Sequence, residues 1–197
     1  MAIRASGRSD EDNILAVMTL AFGADPPVRW VFPDSQQFLV NFPAFARAFG
    51  GSGFDHGSAY FVDGYLGAAL WLPPEAQPDE EAMDVLLERS VGDRKGDVME
   101  VLEALGSHHP SEPHWYLSLI GVDPAQQGHG IGSALMKHAL PACDHDKRLA
   151  YLEATSRKSV PLYQRHGFEV LGTVEAAGCP PIYPMLRKPQ SRSETEA

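Results

Sequence analysis

The stretch HWYLSLIGVDPAQQGHGIG, residues 114–132, predicts a strand that runs into a glycine-rich loop and the start of a helix. Residues Trp115 to Val122 form an apolar run, which is typical of a strand covered on both faces. Asp123-Pro124 ends the strand, because proline has no N–H to donate to a neighbouring strand. The apolar positions from Ile131 to Leu140 then predict a helix.

The loop in this stretch has glycine at alternate positions, Gly128, Gly130 and Gly132. Glycine lets backbone N–H groups face a ligand without an intervening Cβ, and a helix N-terminus adds unpaired donors and the positive end of a dipole. The loop therefore predicts a binding site for an anion, most often a phosphate. It lacks the last glycine of the dinucleotide-binding pattern, where Ser133 stands, and the lysine of a P-loop. The alternative is a glycine-rich turn that only caps the helix.

Composition restricts the possible functions. The chain has 197 residues, of which 44% are hydrophobic, and a formal net charge of −10. This length suits one domain with a sizeable core, which we expect at residues 1–188. The negative charge disfavours nucleic acid and anionic membranes as partners and does not conflict with a cationic substrate.

Cys143 and Cys179 form no C-x-x-C pair, so neither a zinc knuckle nor a disulfide framework is indicated. We expect no leader peptide and no membrane-spanning segment, and therefore a reducing cytoplasm as the location.

Other segments of the chain carry their own local signals. Strands are predicted at residues 3–5, 59–62, 65–72, 149–154, 168–174 and 182–187, with a two-residue hairpin turn at Asp63-Gly64. Helices are predicted at residues 10–23, 38–49 and 159–166, and as a pair within 79–106. Pro43 is expected to kink or divide its helix, and Pro141 to end or kink the helix after the glycine loop. The polar residues 189–197 are expected to form a disordered tail.

Three motifs occur in the order and spacing of a known superfamily. Val122-Asp123-Pro124 precedes a Q-x-x-G-x-G loop at residues 127–132, and residues 162–168 read L-Y-x-x-x-G-F. In these motifs the chain resembles the GNAT acetyltransferase superfamily, and residues 110–188 resemble the branch that includes puromycin N-acetyltransferase. The resemblance implies an α/β fold with a mixed, mostly antiparallel sheet of about seven strands, helices on both faces and splayed central strands. It also implies acetyl-coenzyme A as the co-substrate and no metal.

The resemblance assigns donor-binding roles along the strand and the loop. Backbone groups of Ile120, Gly121 and Val122 would pair with the pantetheine arm, with Gly121 in a β-bulge. The Val122 N–H would polarise the thioester carbonyl, as a donor in an oxyanion hole does. The pyrophosphate would lie on the loop residues Gln127, Gly128, His129, Gly130, Ile131, Gly132 and Ser133. Ser159 stands where such relatives often carry asparagine and is assigned a cofactor contact, whereas Arg157 and Lys158 either meet phosphates or are solvated.

The same resemblance suggests an acid and a base. Tyr163, in the L-Y-x-x-x-G-F motif, is predicted to protonate the coenzyme A thiolate; the alternative is a core aromatic. Glu153 ends a strand beside the expected cleft and is a candidate base acting through water, although a structural role fits it equally. His114, at the start of the central strand, is a second candidate base. His108-His109 is more typical of a solvated turn than of a metal ligand pair.

The acceptor side is assigned to aromatic residues of the first half. Trp30 and Phe32 are predicted to wall an acceptor pocket, with Phe38 as a third candidate and core packing as the alternative. The predicted activity is transfer of an acetyl group from acetyl-coenzyme A to a primary amine of a small molecule, by direct attack in a ternary complex. Two alternatives stay open: acetylation of protein N-termini or lysines, and a coenzyme A-binding module without catalysis.

Overall fold

A computed structural model describes residues 1–190, and a seven-stranded sheet organises them. The strands run in the spatial order β1-β2-β3-β4-β5-β7-β6. Within the described residues, β4 and β5 are the parallel neighbours, and all other neighbouring strands are antiparallel. The strands are β1 Ile3–Ala5, β2 Ala59–Val62, β3 Gly67–Leu72, β4 Trp115–Val122, β5 Ala150–Ala154, β6 Glu169–Val170 and β7 Tyr183–Arg187.

Eight α-helices accompany the sheet in the described range. They are α1 Glu11–Phe22, α2 Pro26–Val31, α3 Ser35–Gly50, α4 Ser52–Asp55, α5 Glu80–Ser90, α6 Lys95–Gly106, α7 Ile131–His145 and α8 Val160–Gln164. Three of them begin at an aspartate whose side chain accepts a backbone N–H of the first turn, namely Asp25, Asp34 and Asp79. Such caps satisfy donors that a helix leaves unpaired at its start. No helix of residues 1–190 is long and apolar enough to cross a membrane.

The helices cover both faces of the sheet. On one face, α7 packs Leu135 and Met136 against Trp71 and Leu117. On the other face, α1 and α3 bury Met18 and Phe42, among other apolar residues, against the sheet. The predicted fold class is therefore confirmed: an α/β protein with a mostly antiparallel seven-stranded sheet between two helical layers.

The β-bulge of the central strand lies at Ser118 rather than at Gly121. Leu70 faces Leu119 and Trp71 faces Leu117, so Ser118 is the extra residue on β4. Its hydroxyl donates to the Leu70 carbonyl at 3.0 Å. An extra residue switches which face of the sheet the following side chains occupy, because side chains alternate along a strand. The prediction for Gly121 was therefore wrong in position.

Gly121 serves a different purpose in the structure. A Cβ built on it would lie 2.8 Å from both the Ala21 Cβ and the Met18 Sδ of α1. The absence of a side chain therefore lets α1 approach β4 closely. Because α1 leads into Asp25 and α2, this approach brings the first half of the chain to the end of the central strand.

Several local predictions differ from the structure in extent. Of the two outcomes predicted for each proline, division of α3 at Pro43 and termination of α7 at Pro141 do not occur, because both helices continue through the proline. The turn between β2 and β3 takes in residues 63–66, and the strand predicted at 168–174 is reduced to β6 and a single bridge at Val174. Most of the expected disordered tail, residues 191–197, lies outside the described residues. Its first part is described, and the Gln190 N–H donates to Asp144 at 2.7 Å.

A buried ion pair joins β7 to α7. Arg187 is 3% exposed and makes two parallel bonds to Asp144, from Nη1 to Oδ1 at 2.7 Å and from Nη2 to Oδ2 at 2.9 Å. Its Nε also donates to the His166 carbonyl at 2.9 Å. Burial acts to raise the pKa of Asp144, but the bonds from Arg187 and the Gln190 N–H outweigh it, and the net pKa is lowered.

Replacing Asp144 with alanine should lower the free energy of unfolding by about 3–5 kcal/mol at pH 7, because a buried guanidinium loses its partner. The depressed pKa makes this contribution fully present above the unfolded-state value of about 3.9, and it is lost as the pH falls through the folded-state value. Urea unfolding at pH 7 and in acid measures both effects. The control is Asp12→Ala, which removes an exposed partner of Arg47 and should change stability by less than about 0.5 kcal/mol. Equal small losses in the two variants would contradict the prediction.

Candidate active site

The central strands separate after three paired residues. β4 pairs with β5 only from Trp115 to Leu117, opposite Ala150 to Leu152, although β4 continues to Val122. Beyond this point the two strands diverge and leave a gap at the centre of the sheet. The gap forms part of a cleft of about 980 Å³. The predicted splay is therefore present between β4 and β5.

Backbone groups of β4 face this gap. In an antiparallel pair, peptide groups point alternately toward and away from the partner strand. The Asp123 N–H donates to the Leu66 carbonyl at 3.0 Å, which sets the alternation between β4 and β3. The peptide groups of Ile120 and Val122 consequently point away from β3, toward the side from which β5 has departed. The Gln127 side chain reaches one of them, with its Nε2 at 3.4 Å from the Val122 oxygen.

The glycine loop lies at the same end of the cleft. Gly128 and Gly130 both have φ of +82°, a left-handed conformation that residues with a Cβ rarely adopt. Gly130 is also the N-cap of α7, a helix of 15 residues whose first amides open toward the cleft. The loop thus combines exposed backbone donors with the positive end of a helix dipole, which suits a phosphate group.

The cleft includes most, but not all, of the predicted loop residues. Its lining includes Gln127, Gly128, Gly130, Ile131, Gly132 and Ser133. His129 does not line it, because its side chain turns back toward the Gln126 carbonyl at 3.2 Å. Ser159 lines the cleft, but its hydroxyl already donates to the Ser156 carbonyl at 2.8 Å. The backbone of the loop is therefore better placed for an anion than these two side chains.

Tyr163 reaches the cleft from α8. Its side chain is 6% exposed and packs edge-on against Phe168, with ring centroids 6.3 Å apart. Burial, followed by the negative charge of Asp25, raises the pKa of the Tyr163 hydroxyl above its ordinary value. The phenol therefore keeps its proton at neutral pH and is available as a donor.

Asp25 is a site residue that sequence reasoning missed. It caps α2 by accepting the Val28 N–H at 3.1 Å, and its other oxygen accepts the hydroxyl of Thr155, which follows β5. Asp25, Thr155 and Tyr163 all line the cleft. Burial raises the pKa of Asp25. An aspartate before Pro26 is recognisable in the sequence as a helix cap. Its hydrogen bond with Thr155, which lies 130 residues later, is not indicated by any neighbouring residues.

Glu153 lies on the cleft wall within a polar network. Its carboxyl group is 8% exposed; Oε2 accepts the Tyr116 hydroxyl at 2.7 Å, and Oε1 lies 3.0 Å from His109 Nε2. His114 joins this network by a contact of 3.2 Å with His109. His109 lies in the turn after α6, as expected, but its side chain is only 29% exposed and contacts Glu153 instead of being fully solvated. No group of three or more side chains suited to a metal ion occurs in the part of the chain described.

Of the two residues predicted to wall the acceptor pocket, one lines the cleft and the other does not. Trp30 lines the cleft, and the Arg94 guanidinium stacks over its ring at 4.6 Å. Phe32 has no exposed surface and packs in the core beside α3, so its assignment to the pocket was wrong. Phe38 is buried in the same core. The remaining apolar wall comes from residues without a strong functional signal in sequence, including Phe45, Phe49, Val101 and Leu105.

The divided sheet and its cleft occur here in a chain whose family match defines an enzyme of the acyltransferase class. The chain belongs to the acetyltransferase (GNAT) family, whose model matches residues 67–168, just over half of its length. Enzymes of this family use acetyl-coenzyme A as co-substrate. The glycine loop, the N-terminus of α7 and the free edge of β4 fit the pyrophosphate and the pantetheine arm of that molecule.

A curated relative and several solved structures are similar to the chain. Mycothiol acetyltransferase from Mycolicibacterium gilvum (strain PYR-GCK) is 38% identical over 63 residues, which cover 28% of this chain and 21% of that protein. The chain thus spans about a fifth of the length of this curated relative.

Among solved structures, the histone acetyltransferase HPA2 and related acetyltransferase from Corynebacterium glutamicum ATCC 13032 is 24% identical, with 98% of each chain covered and a TM-score of 0.66. Arylalkylamine N-acetyltransferase 2 from Aedes aegypti is 13% identical, with 96% of this chain and 99% of that chain covered and a TM-score of 0.68. Polyamine N-acetyltransferase from Drosophila melanogaster is 16% identical, with coverages of 95% and 99% and a TM-score of 0.63. At these identities the likeness concerns the fold alone.

Proposed function

We propose that residues 1–188 form one acetyltransferase domain that transfers an acetyl group from acetyl-coenzyme A to a primary amine of a small molecule, by direct attack in a ternary complex. One observation carries the proposal. The gap between β4 and β5 joins the glycine loop to Tyr163, Asp25 and Glu153 within a single cleft. A donor and an acceptor bound from opposite ends of this cleft would meet at the gap.

The donor would bind through backbone groups. The amides of Gly128, Gly130 and the first turn of α7 would receive the pyrophosphate, and the peptide groups of Ile120 and Val122 would pair with the pantetheine arm. Because these peptide groups lack a β5 partner, they can extend the sheet to a bound ligand in place of a strand. The Val122 N–H would polarise the thioester carbonyl, and a donor of this kind is worth roughly 3 kcal/mol.

The chemistry needs a proton acceptor and a proton donor. The amine nitrogen forms a bond to the acetyl carbon and loses a proton, which Glu153 would take through a water molecule. The bond between the acetyl carbon and sulfur then breaks, and Tyr163 would protonate the departing thiolate. Support for these roles comes from position, because Glu153 and Tyr163 both line the cleft beside the gap between β4 and β5.

The acceptor would be a small and partly aromatic amine, of the puromycin type. The cleft wall of Trp30, Phe45 and Phe49 favours a flat or apolar body. Asp25 and Glu153 provide negative charge for an amine, and the net charge of −10 also favours a cationic molecule. The solved neighbours include enzymes named for arylalkylamines and polyamines, which agrees with a small amine as acceptor, and one named a histone acetyltransferase, which agrees with a protein acceptor.

A protein acceptor is the second candidate. It requires an open groove along which a peptide can lie, whereas Trp30 and the apolar residues of α6 form a wall on this side of the cleft.

A coenzyme A-binding module without catalysis is the third. It would have no need of Tyr163 and Glu153 at the junction of the two halves of the cleft.

The donor assignment predicts that Gly130→Asp abolishes acetyl-coenzyme A binding, because it forces a carboxylate and an unfavourable φ into the phosphate site. Isothermal calorimetry should detect binding by the wild type and none by the variant. Gly57→Asp is the matched control, since Gly57 also has positive φ and open space around its Cβ position but lies outside the cleft. Loss of binding in both variants, or in neither, would contradict the assignment.

The acid assignment predicts that Tyr163→Phe lowers kcat by about tenfold to a thousandfold and leaves donor affinity nearly unchanged. The substitution removes only the hydroxyl, so the packing against Phe168 is retained. Tyr183→Phe is the control, because Tyr183 also lines the cleft without being assigned a chemical role. An unchanged kcat for Tyr163→Phe, with the chemical step shown to be rate-limiting, would return this tyrosine to a packing role.

The acceptor assignment is tested by comparing an aminonucleoside, an aminoglycoside, a polyamine and a lysine-containing peptide. Release of free thiol from acetyl-coenzyme A gives kcat/KM for each of them. We expect the aminonucleoside to give the highest value, because it combines an aromatic body with an amine. The highest value with the peptide would favour the protein-acetylating alternative. Binding of acetyl-coenzyme A without thiol release for any acceptor would favour the binding module.

A further inference from the structure

Glu153 is connected to a short chain of histidines that leads away from the cleft. His109 Nε2 lies 3.0 Å from Glu153 Oε1, and His109 Nδ1 lies 3.2 Å from His114 Nε2. The chain ends where His114 Nδ1 lies 2.9 Å from the Glu112 carbonyl. Three hydrogen bonds in series thus join a carboxylate on the cleft wall to a backbone carbonyl near the surface.

The number of protons in this chain follows from its end groups. A carbonyl oxygen only accepts, so His114 Nδ1 must carry a proton. In neutral His114 the Nε2 is then an acceptor, which requires a proton on His109 Nδ1. An ionised Glu153 also only accepts, so the third bond needs a proton on His109 Nε2. Three bonds require three protons, whereas two neutral imidazoles supply only two.

The additional proton belongs on His109. Burial lowers the pKa of His114, which keeps that ring neutral. The Tyr116 hydroxyl donates to the other oxygen of Glu153 at 2.7 Å, so the carboxylate form is stabilised from both sides when His109 donates as well. The Tyr151 hydroxyl is buried beside them and close enough for Glu153 to raise its pKa, although its geometry falls short of a hydrogen bond. Tyr116 and His109 are the two groups within hydrogen-bond distance of the Glu153 oxygens among residues 1–190.

The rings around His109 leave it little freedom to turn away. Its centroid lies 4.2 Å from Tyr151, 4.8 Å from Tyr116 and 5.3 Å from His114. Among residues 1–190, the titratable and polar groups around the two histidines are these rings, Glu153, and both the carbonyl and the carboxylate of Glu112. A donor held in this way orients the carboxylate as well as balancing its charge.

We propose that His109, supported by His114, is a positioning residue that carries one additional proton and holds Glu153 ionised and oriented toward the acceptor. This inference rests on the proposed function, in which Glu153 takes the amine proton. Without this proton, two acceptors would face each other at the junction of His109 and Glu153. The pair would then repel, and the base would lose its orientation.

Two substitutions at His109 distinguish loss of its hydrogen-bond donor to Glu153 from loss of its side-chain volume. His109→Gln places an amide that can still donate to Glu153, so it should keep kcat/KM within about threefold of wild type. His109→Leu provides no donor, and misorientation of the base should lower kcat/KM by about tenfold to a hundredfold. His108→Gln is the matched control, because His108 bonds to the Ala104 carbonyl and stays outside the chain.

Nitrogen-15 NMR of the wild-type protein tests the proton count without any acceptor or turnover. We expect Nε2 of His109 to carry a proton shared with Glu153, and His114 to be the neutral tautomer with its proton on Nδ1. Failure to find an acceptor would count against the proposed function and leave this readout intact. A bare Nε2 on His109 would overturn the inference. So would an active enzyme in which His109→Leu keeps the wild-type kcat/KM.

Discussion

The extra residue at Ser118 is the constraint on which the cleft depends. It changes the alternation of β4 halfway along the strand, so that Leu117 and Ile120 face the α7 layer although they are three positions apart. The same change directs the peptide groups of Ile120 and Val122 toward the gap instead of toward β3. It also turns Gly121 to α1, where only a residue without a Cβ fits. One inserted residue thus sets three features of the fold. These are the open edge of the sheet, the contact with α1 and the position of the first half of the chain.

Two carboxylates on the cleft wall have different surroundings. Asp25 is held by a neutral hydroxyl and a backbone N–H, and burial raises its pKa. Glu153 is held by a tyrosine hydroxyl and a histidine nitrogen, which connect it to a route out of the cleft. Acidic groups with different partners respond differently to charge and pH, so a site can bind a cation with one group and move a proton with the other. The structure therefore gives a physical basis for two distinct roles at one end of the cleft.

Residues with a strong local signature were predicted well, and residues without one were not. The glycine loop, the helix after it and the strand before it lie where their patterns predicted, because turn geometry and periodicity depend on near neighbours. Helix α3 continues through Pro43 and α7 through Pro141, since packing on the sheet retains a helix that lacks one hydrogen bond. Phe32 and Trp30 are two positions apart and similar in character, yet only Trp30 reaches the cleft. The residues that line a pocket wall and those that fill a core are of the same types, so the sequence alone does not distinguish them.

The sequence by itself determined most of the longer helices and strands, the position of the glycine loop and the membership of an acetyltransferase family. These depend on residues within a few positions of one another, or on motifs in a fixed order. Only the tertiary structure decided that Thr155 contacts Asp25, 130 positions away in the chain, and that His109 contacts Glu153, 44 positions away. It also placed the bulge at Ser118, because the register of two strands is set by the packing of both faces. Contacts between distant segments follow from how whole elements pack, and no local pattern of residues encodes that packing.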